Sequence, residues 1–559
     1  MTSRRERILQ VLILASLGVA LAVRADQPIV ENYVGRQIPT AMVARNLDRG
    51  SGFWQPTLDT APFPNRFLVE PPIYAQAVVW AKEGIRFAWE EIGDVRVGVV
   101  WEPPGRWTSA AMTVLGAWAF CGLVRRREGP GVALIALAAF AVFPVTLRYG
   151  RAFQPDAMML GFVLLGLRAW DEYEATGRRS FAALGAAGLG LGLTIKVTAG
   201  WALIPYMLLV RRLPTRPRAA VGVALLAPAV GWYLFAWNEL RHGSAGGSLA
   251  PGDTAATWAG SIGPATWGRL ATWDAIARNL LARAFTPLGF VLASLGWGLA
   301  AVRRERVDRL WLGWGGGCAL AVLALAAKWH HGYYWLAVAP VAAVGVARGL
   351  AAIARAGEPR LGRPLAAGLG AVLVGLAALQ AAPTWRDPPE WRTVRDLPDL
   401  LPTPLPNWLV IAPEAALYYI DRPGFRLEFS PEAARRASGE WDPPLAPEPL
   451  RRDPLALVDF YLKEQAAGAL DHPGALVHQV AAARSDRIMV VDVGPVEPGS
   501  AKAAWRTALL RRPGARVWRN RPELVMVEVG DPSCRTALVA PPDDAPLDIQ
   551  PLPVAAPLP

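Results

Sequence analysis

Four stretches of this 559-residue chain put acids, bases and aromatic residues beside long apolar blocks. The first runs from 31-ENYVGRQIPTAMVARNL-47 to 67-FLVEPPIYAQ-76 and offers Glu31, Arg36, Gln37, Arg66 and Glu70. The second, 148-RYGRAFQPDAMML-160, offers Arg148, Arg151, Gln154 and Asp156. The third contributes Lys196, and the fourth, 328-KWHHGYYWLAVAP-340, contributes His330, His331, Tyr333 and Tyr334. Carboxylates and cations on separate loops around one cavity suit group transfer from a phosphate-linked lipid donor. A carboxylate accepts the proton of the incoming hydroxyl. Arg and Lys grip the phosphate and offset the charge that builds on the leaving group.

These residues need elements to hold them at one level. Apolar blocks of a length that crosses a bilayer core fall near 8–23, 106–123, 130–147, 156–170, 181–195, 198–210, 219–237, 286–302, 310–327, 333–348 and 364–382. Arg clusters occupy alternate connections: Arg4/Arg5/Arg7, Arg125–Arg127, Arg178/Arg179, Arg211/Arg212, Arg303/Arg304 and Arg348/Arg355. That is the positive-inside pattern. It predicts about eleven transmembrane helices, a cytoplasmic N-terminus and an outer face that carries all four polar stretches. Ionisable groups at that depth are costly unless they line a cavity or pair with one another. They therefore mark a site.

The rest of the composition fits a multi-pass protein of the inner (cytoplasmic) membrane. Hydrophobic residues make up 53% of the chain and charged residues 19%, below the roughly 25% of soluble domains. The net charge of +12 is explained by cytoplasmic loops facing anionic lipid, so nucleic acid is not called for as a partner. The first block has no convincing small-residue cleavage site and reads as a retained helix. Three cysteines make no disulfide framework, and Cys121 and Cys318 lie inside spans. A divalent metal finds no supporting ligand spacing. The glycines of 185-GAAGLGLG-192 sit within a span, where small residues serve close helix packing.

Residues 1–382 thus form a polytopic, all-α membrane domain with long outer loops at 24–105 and 238–285. In those loops 38-IPTAMVARNLDR-49 and 267-WGRLATWDAIARNLLARAF-285 have the spacing of amphipathic helices lying along the membrane surface. From 383 to 539, strand-like runs at 408–412, 487–493 and 524–530 alternate with helix-like runs at 453–470 and 500–512. A small extracytoplasmic α/β domain is predicted there, followed by a Pro-rich disordered tail at 540–559.

The membrane portion resembles the GT-C glycosyltransferases, in the bacterial branch related to protein O-mannosyltransferases and aminoarabinose transferases. The resemblance rests on motifs in a fixed order: Glu31 after the first span, 36-RQIPTAMVARNL-47, 70-EPPIY-74, 154-QPDAMM-159, 193-LTIKVTAG-200 and 330-HHGYYWLAVAP-340. It implies transfer of a sugar from a polyprenyl-phosphate donor to a lipid, glycan or protein acceptor outside the cytoplasmic membrane. Protein glycosylation and lipopolysaccharide modification are the settings it suggests. Glu31 is then the base, aided by Asp156. Arg36, Gln37, Arg66, Glu70, Arg151, Lys196, His330, His331 and Tyr333 bind substrate. Two positions depart from the pattern. Glu31 stands where the family usually has Asp, and Glu70 where aminoarabinose-type members commonly have Lys.

Each residue also has a plain structural reading. Asp156 follows Pro155 and can cap the next helix. Glu70 can hold the Pro-Pro turn through an Arg pair. Any one Arg can snorkel to the interface, and Tyr333 can anchor there. A transporter or lipid flippase would instead show charges near the midplane and inverted repeats. A non-catalytic assembly partner of the same fold is the other alternative.

Overall fold

The computed structural model describes residues 3–29, 34–60, 65–92, 101–210, 213, 215–242, 264–303, 309–329, 331–356, 360–386, 392–400, 409–421, 424–426, 488–494, 496, 498, 501–511 and 515–529. Two compact units divide the chain, Met1–Pro388 and Pro389–Pro559.

The first unit is a helical bundle. Its first helix, α1 (Arg4–Ala22), opens on a capping box in which the Ser3 hydroxyl accepts from the Glu6 amide and the Glu6 carboxylate accepts from Ser3. Helix α2 (Val34–Asp48) and α3 (Ile73–Ile92) follow. Helix α4 (Glu102–Glu128) starts on two prolines and places Arg125, Arg126 and Arg127 in its last turn, where cations complement the helix dipole. Pro130 and Pro144 open α5 (Pro130–Val142) and α6 (Pro144–Tyr149). Helix α7 (Asp156–Thr176) ends on Gly177 in the left-handed region, and α8 (Arg179–Ile195) ends where Lys196 turns extended. A 3₁₀ turn, Val197–Ala202, leads to α9 (Leu203–Val210) and α10 (Thr215–His242). The remainder is α11 (Leu270–Asn279), α12 (Pro287–Val302), α13 (Arg309–Ala324), a 3₁₀ turn Gly332–Ala337, α14 (Ala339–Ala356) and α15 (Gly362–Ala381).

Glycine lets the inner helices touch. A Cβ on Gly188 of α8 would lie 2.9 Å from the Gly166 backbone of α7, and one on Gly192 would lie 2.8 Å from Val163. The glycine run of α8 therefore serves helix packing. Gly296 of α12 meets Gly345 and Gly349 of α14 in the same way. Such contacts bring backbones together without large side chains between them. Helices α7 and α14 are buried over most of their length, whereas α10 and α15 present Val223, Leu234, Val372 and Leu379 on the outside. A bare apolar exterior of this kind is what lipid surroundings require.

Among the described residues, four helical stretches can cross a membrane by length and composition: Glu102–Glu128, Arg218–Glu239, Ala339–Ala356 and Gly362–Trp385. A fifth is formed by Leu270–Ala284 with Pro287–Val302, bent by 101°. Four more apolar helices have 10–17 residues.

One expectation is corrected. Helix α2 does not lie on the surface with a solvated polar face. Its apolar residues Ile38, Met42 and Val43 are buried, and so are Gln37, Thr40, Arg45 and Asn46. Asp59 makes this possible: it accepts from Arg45 at 2.5 Å and from Asn46 at 2.9 Å. Polar groups so matched can be enclosed at little net cost.

In the second unit a five-stranded mixed sheet has the order β4-β3-β5-β7-β6, for β3 (Leu409–Ala412), β4 (Gly424–Arg426), β5 (Ile488–Val493), β6 (Ala515–Arg521) and β7 (Leu524–Val529). The first two strands, β1 (Thr57–Leu58) and β2 (Asn65–Arg66), form a small hairpin in the first unit. Strand β3 runs parallel to β4 and β5; β7 runs antiparallel to β5 and β6. The buried Asp492 of β5 accepts from Arg506 at 2.5 Å, which fixes helix Ala501–Leu510 on the sheet. The predicted helix at 453–470, the tail 540–559 and Cys534 lie outside the described residues.

Candidate active site

The close packing of α7 on α8 decides the centre of the site. It brings Asp156, first residue of α7, against Lys196 at the end of α8. The Lys196 ammonium lies 2.7 Å from each carboxylate oxygen of Asp156. Both side chains are buried, at 5% and 1% exposure. Two opposite charges so enclosed persist only because each neutralises the other.

An aromatic wall closes over the ammonium. Lys196 Nζ stands 4.6 Å from the Tyr333 ring centre and 5.7 Å from that of Tyr334, a cation–π arrangement. The Tyr333 and Tyr334 rings lie 4.5 Å apart, and His331 stacks on Tyr333 at 5.5 Å with the planes 7° apart. Tyr149 of α6 meets Tyr333 edge-on at 6.1 Å. The Tyr333 and Tyr334 hydroxyls can each donate a hydrogen bond.

A second ion pair belongs to the same group. Arg36 of α2 lies 2.5 Å from Glu70, with Phe67 beneath its guanidinium at 5.6 Å. Burial works against the Arg36 charge. The Glu70 carboxylate, with Tyr333, Asp156 and Tyr334 behind it, more than offsets this and raises the guanidinium's pKa. Arg36, Glu70, Asp156, Lys196, Tyr333 and Tyr334 thus share one electrostatic environment. Tyr233 of α10 lies in the field of Glu70 and Arg36 too.

Hydrogen bonds from α2, α3 and α4 fix the turn that carries Asp156. Ser109 donates to the Ala152 carbonyl at 2.7 Å and Thr113 to Gly150 at 2.8 Å. Tyr74 donates to Gly105 at 2.8 Å, and Gln37 accepts from the Phe153 amide at 2.8 Å. Gln37 therefore ties the Arg36 helix to the Asp156 turn. Arg106, fully buried, donates to the carbonyls of Ala25, Gln27 and Pro28 and pins the chain as it leaves α1.

The other expected residues are distributed as follows. Arg151 is buried and donates to the Arg24 carbonyl at 2.7 Å. Arg148 donates to Gln380 at 3.2 Å, and Arg66 pairs with Glu239 at the end of α10. Glu31 and His330 lie outside the described residues. Among the described residues no group of three or more His, Cys, Asp or Glu is arranged to hold a metal ion. Sequence reading named Tyr334 but gave it no substrate contact, and left out Tyr233 and Arg106. The first two look like interfacial anchors by type, and Arg106 like one more positive charge at a span end.

Beyond this centre, an apolar groove of about 670 Å³ runs between α12, α13 and α14, lined by Phe285, Phe290, Trp297, Trp311, Val338 and Val341. Val338 directly follows the aromatic turn.

Residues 97–236 match the sequence profile of the family described as dolichyl-phosphate-mannose-protein mannosyltransferase. No curated protein sequence matches the chain. Among solved structures, the chain is similar to apo ArnT from Cupriavidus metallidurans, with a TM-score of 0.57 at 14% identity, over 93% of this chain and 97% of that one. The same protein bound to undecaprenyl phosphate gives 0.54 at 14% identity, over 95% and 99%. The apo oligosaccharyltransferase of Archaeoglobus fulgidus gives 0.52 at 13% identity, over 87% of this chain and 69% of that one. Likeness along almost the whole length, together with the family match over residues 97–236, identifies the chain as a multi-pass membrane protein with the fold of the GT-C glycosyltransferase superfamily.

Proposed function

We propose that this protein transfers a sugar from a polyprenyl-phosphate donor to a lipid, glycan or protein acceptor on the outer face of the cytoplasmic membrane. The observation that carries this reading is the convergence of Lys196–Asp156 and Arg36–Glu70 on Tyr333 and Tyr334. The likeness to a structure bound to undecaprenyl phosphate supports the donor class. The apolar groove beside the site suits an isoprenoid tail.

In this mechanism the acceptor hydroxyl oxygen attacks the anomeric carbon. The carbon–oxygen bond to phosphate breaks, and polyprenyl phosphate leaves with the bonding pair. Glu31 takes the acceptor's proton. Arg36 and Lys196 take up the charge appearing on the leaving phosphate, aided by the Tyr333 and Tyr334 hydroxyls. Both cations are already held in position by carboxylates, so the site is pre-formed and needs no large reorganisation when the phosphate arrives. Asp156 holds Lys196 in place through two 2.7 Å contacts; Glu70 holds Arg36 in place and favours its charge. Gln37 keeps the two halves in register; substrate binding by Arg66, Arg151, His330 and His331 is what the family resemblance implies. Eleven spans, with the Arg-rich connections in the cytoplasm and residues 383–539 outside, belong to the same reading.

The test is transfer in vitro from a panel of undecaprenyl-phosphate sugars, with Arg36→Gln and Lys196→Met beside the wild type. Turnover of one donor by the wild type and its loss in both variants supports the reading. Absence of turnover and of donor binding across the panel would overturn it.

A further inference from the structure

Between Asp156, Thr198, Trp201, Trp329, Tyr333 and Tyr334 lies a small cavity of about 20 Å³, room for one water-sized group and little else. Its walls are unevenly provided. Asp156 spends both oxygens on Lys196. Trp201, by contrast, is 5% exposed, and its indole nitrogen is buried with no hydrogen-bond acceptor in the structure. Its ring stacks on Trp314 at a centroid distance of 5.0 Å, and Trp314 in turn donates its own N–H to the Ala337 carbonyl at 2.9 Å. Packing therefore holds the Trp201 indole in one orientation while leaving its single donor unused.

A buried N–H without a partner is uncommon and costly in native proteins. Indole nitrogen donates only, so the missing partner carries an oxygen lone pair. The surroundings agree: the Tyr333, Tyr334 and Thr198 hydroxyls line the same cavity and can all donate. We infer that the cavity receives one oxygen atom of the donor substrate and that the Trp201 indole N–H binds it. The oxygen belongs either to the phosphate or to the sugar attached to it. This rests on the glycosyl-transfer reading and adds a binding residue to it from the segment after α8.

The experiment uses the full chain in detergent and two changes at one position. Trp201→Phe removes the N–H and part of the ring; replacement by 3-benzothienylalanine removes the N–H and keeps the bicyclic volume. Affinity is measured by calorimetry for undecaprenyl phosphate alone and for undecaprenyl phosphate carrying mannose, glucose or arabinose. Loss of about tenfold or more in both variants is expected. An equal loss with the bare phosphate assigns the oxygen to phosphate, and a loss confined to one sugar-bearing ligand assigns it to sugar. Unchanged affinity in the benzothienyl protein for every ligand the wild type binds would overturn the inference, leaving a cavity that only holds water. If the wild type binds no ligand of the panel, the glycosyl-transfer reading itself fails and the inference falls with it.

Discussion

Lys196 and Asp156, forty residues apart, meet through two 2.7 Å contacts because α7 and α8 cross on glycine. Each is the other's compensation inside a dry site, so removing one strands the other. Lys196→Met or Asp156→Asn alone should destabilise the bundle by about 3–5 kcal/mol, the range for breaking a buried pair. The double variant should lose less than the sum of the two. Denaturant unfolding in detergent reads this; strict additivity would mean that the charges are separately solvated.

Arg36 and Glu70 pose a sharper question, since their pair can be structural or catalytic. Arg36→Gln is expected to lower kcat/KM for transfer by about 10²-fold or more, as removal of a charge-stabilising donor does. The reversed pair, Arg36→Glu with Glu70→Arg, restores the ion pair but moves the cation. Stability should recover in that protein while transfer stays low. Recovery of both would reduce Arg36 to a structural role.

That Arg36, Glu70, Asp156 and Lys196 stand out as a polar group was legible in the sequence, because charged residues at span ends have few reasons to be there. Their pairing was not. That Lys196 answers Asp156 depends on Gly166, Gly188 and Gly192, whose effect appears only when two helices are laid together. Helix α2 differs for a related reason: its spacing reads as an amphipathic surface helix, but Asp59, more than ten residues on, accepts from both Arg45 and Asn46 and lets them be buried. Trp201 gave no signal at all, since an indole in an apolar run looks like any core side chain. In the second unit β3, β5 and β7 follow apolar runs, whereas β6 reads Ala-Arg-Val-Trp-Arg-Asn-Arg and sits at the sheet edge, where polar side chains are tolerated.

Gly188→Val tests whether helix approach sets the site. The added side chain would meet the Gly166 backbone, already 2.9 Å from a Cβ. The expected cost is about 1–3 kcal/mol from overpacking, together with a fall in transfer. Gly222→Val on α10, where a Cβ meets nothing within 4 Å, should change neither.

Glu31 carries the assignment of the base, and Arg106 carries its support. Glu31→Gln keeps the shape and removes the proton acceptor, so kcat should fall about 10²–10⁴-fold while affinity for undecaprenyl phosphate stays unchanged. Glu31→Asp, the residue usual at this place in the resembling family, should retain measurable turnover because it keeps the carboxylate. Arg106 grips the carbonyls of Ala25, Gln27 and Pro28 just upstream, so Arg106→Gln should mimic Glu31→Gln in kcat and add a loss of stability. Single-turnover transfer with donor binding measured alongside separates these cases. Wild-type kcat in Glu31→Gln would pass the base role to another carboxylate, and Asp156 would be the next to test.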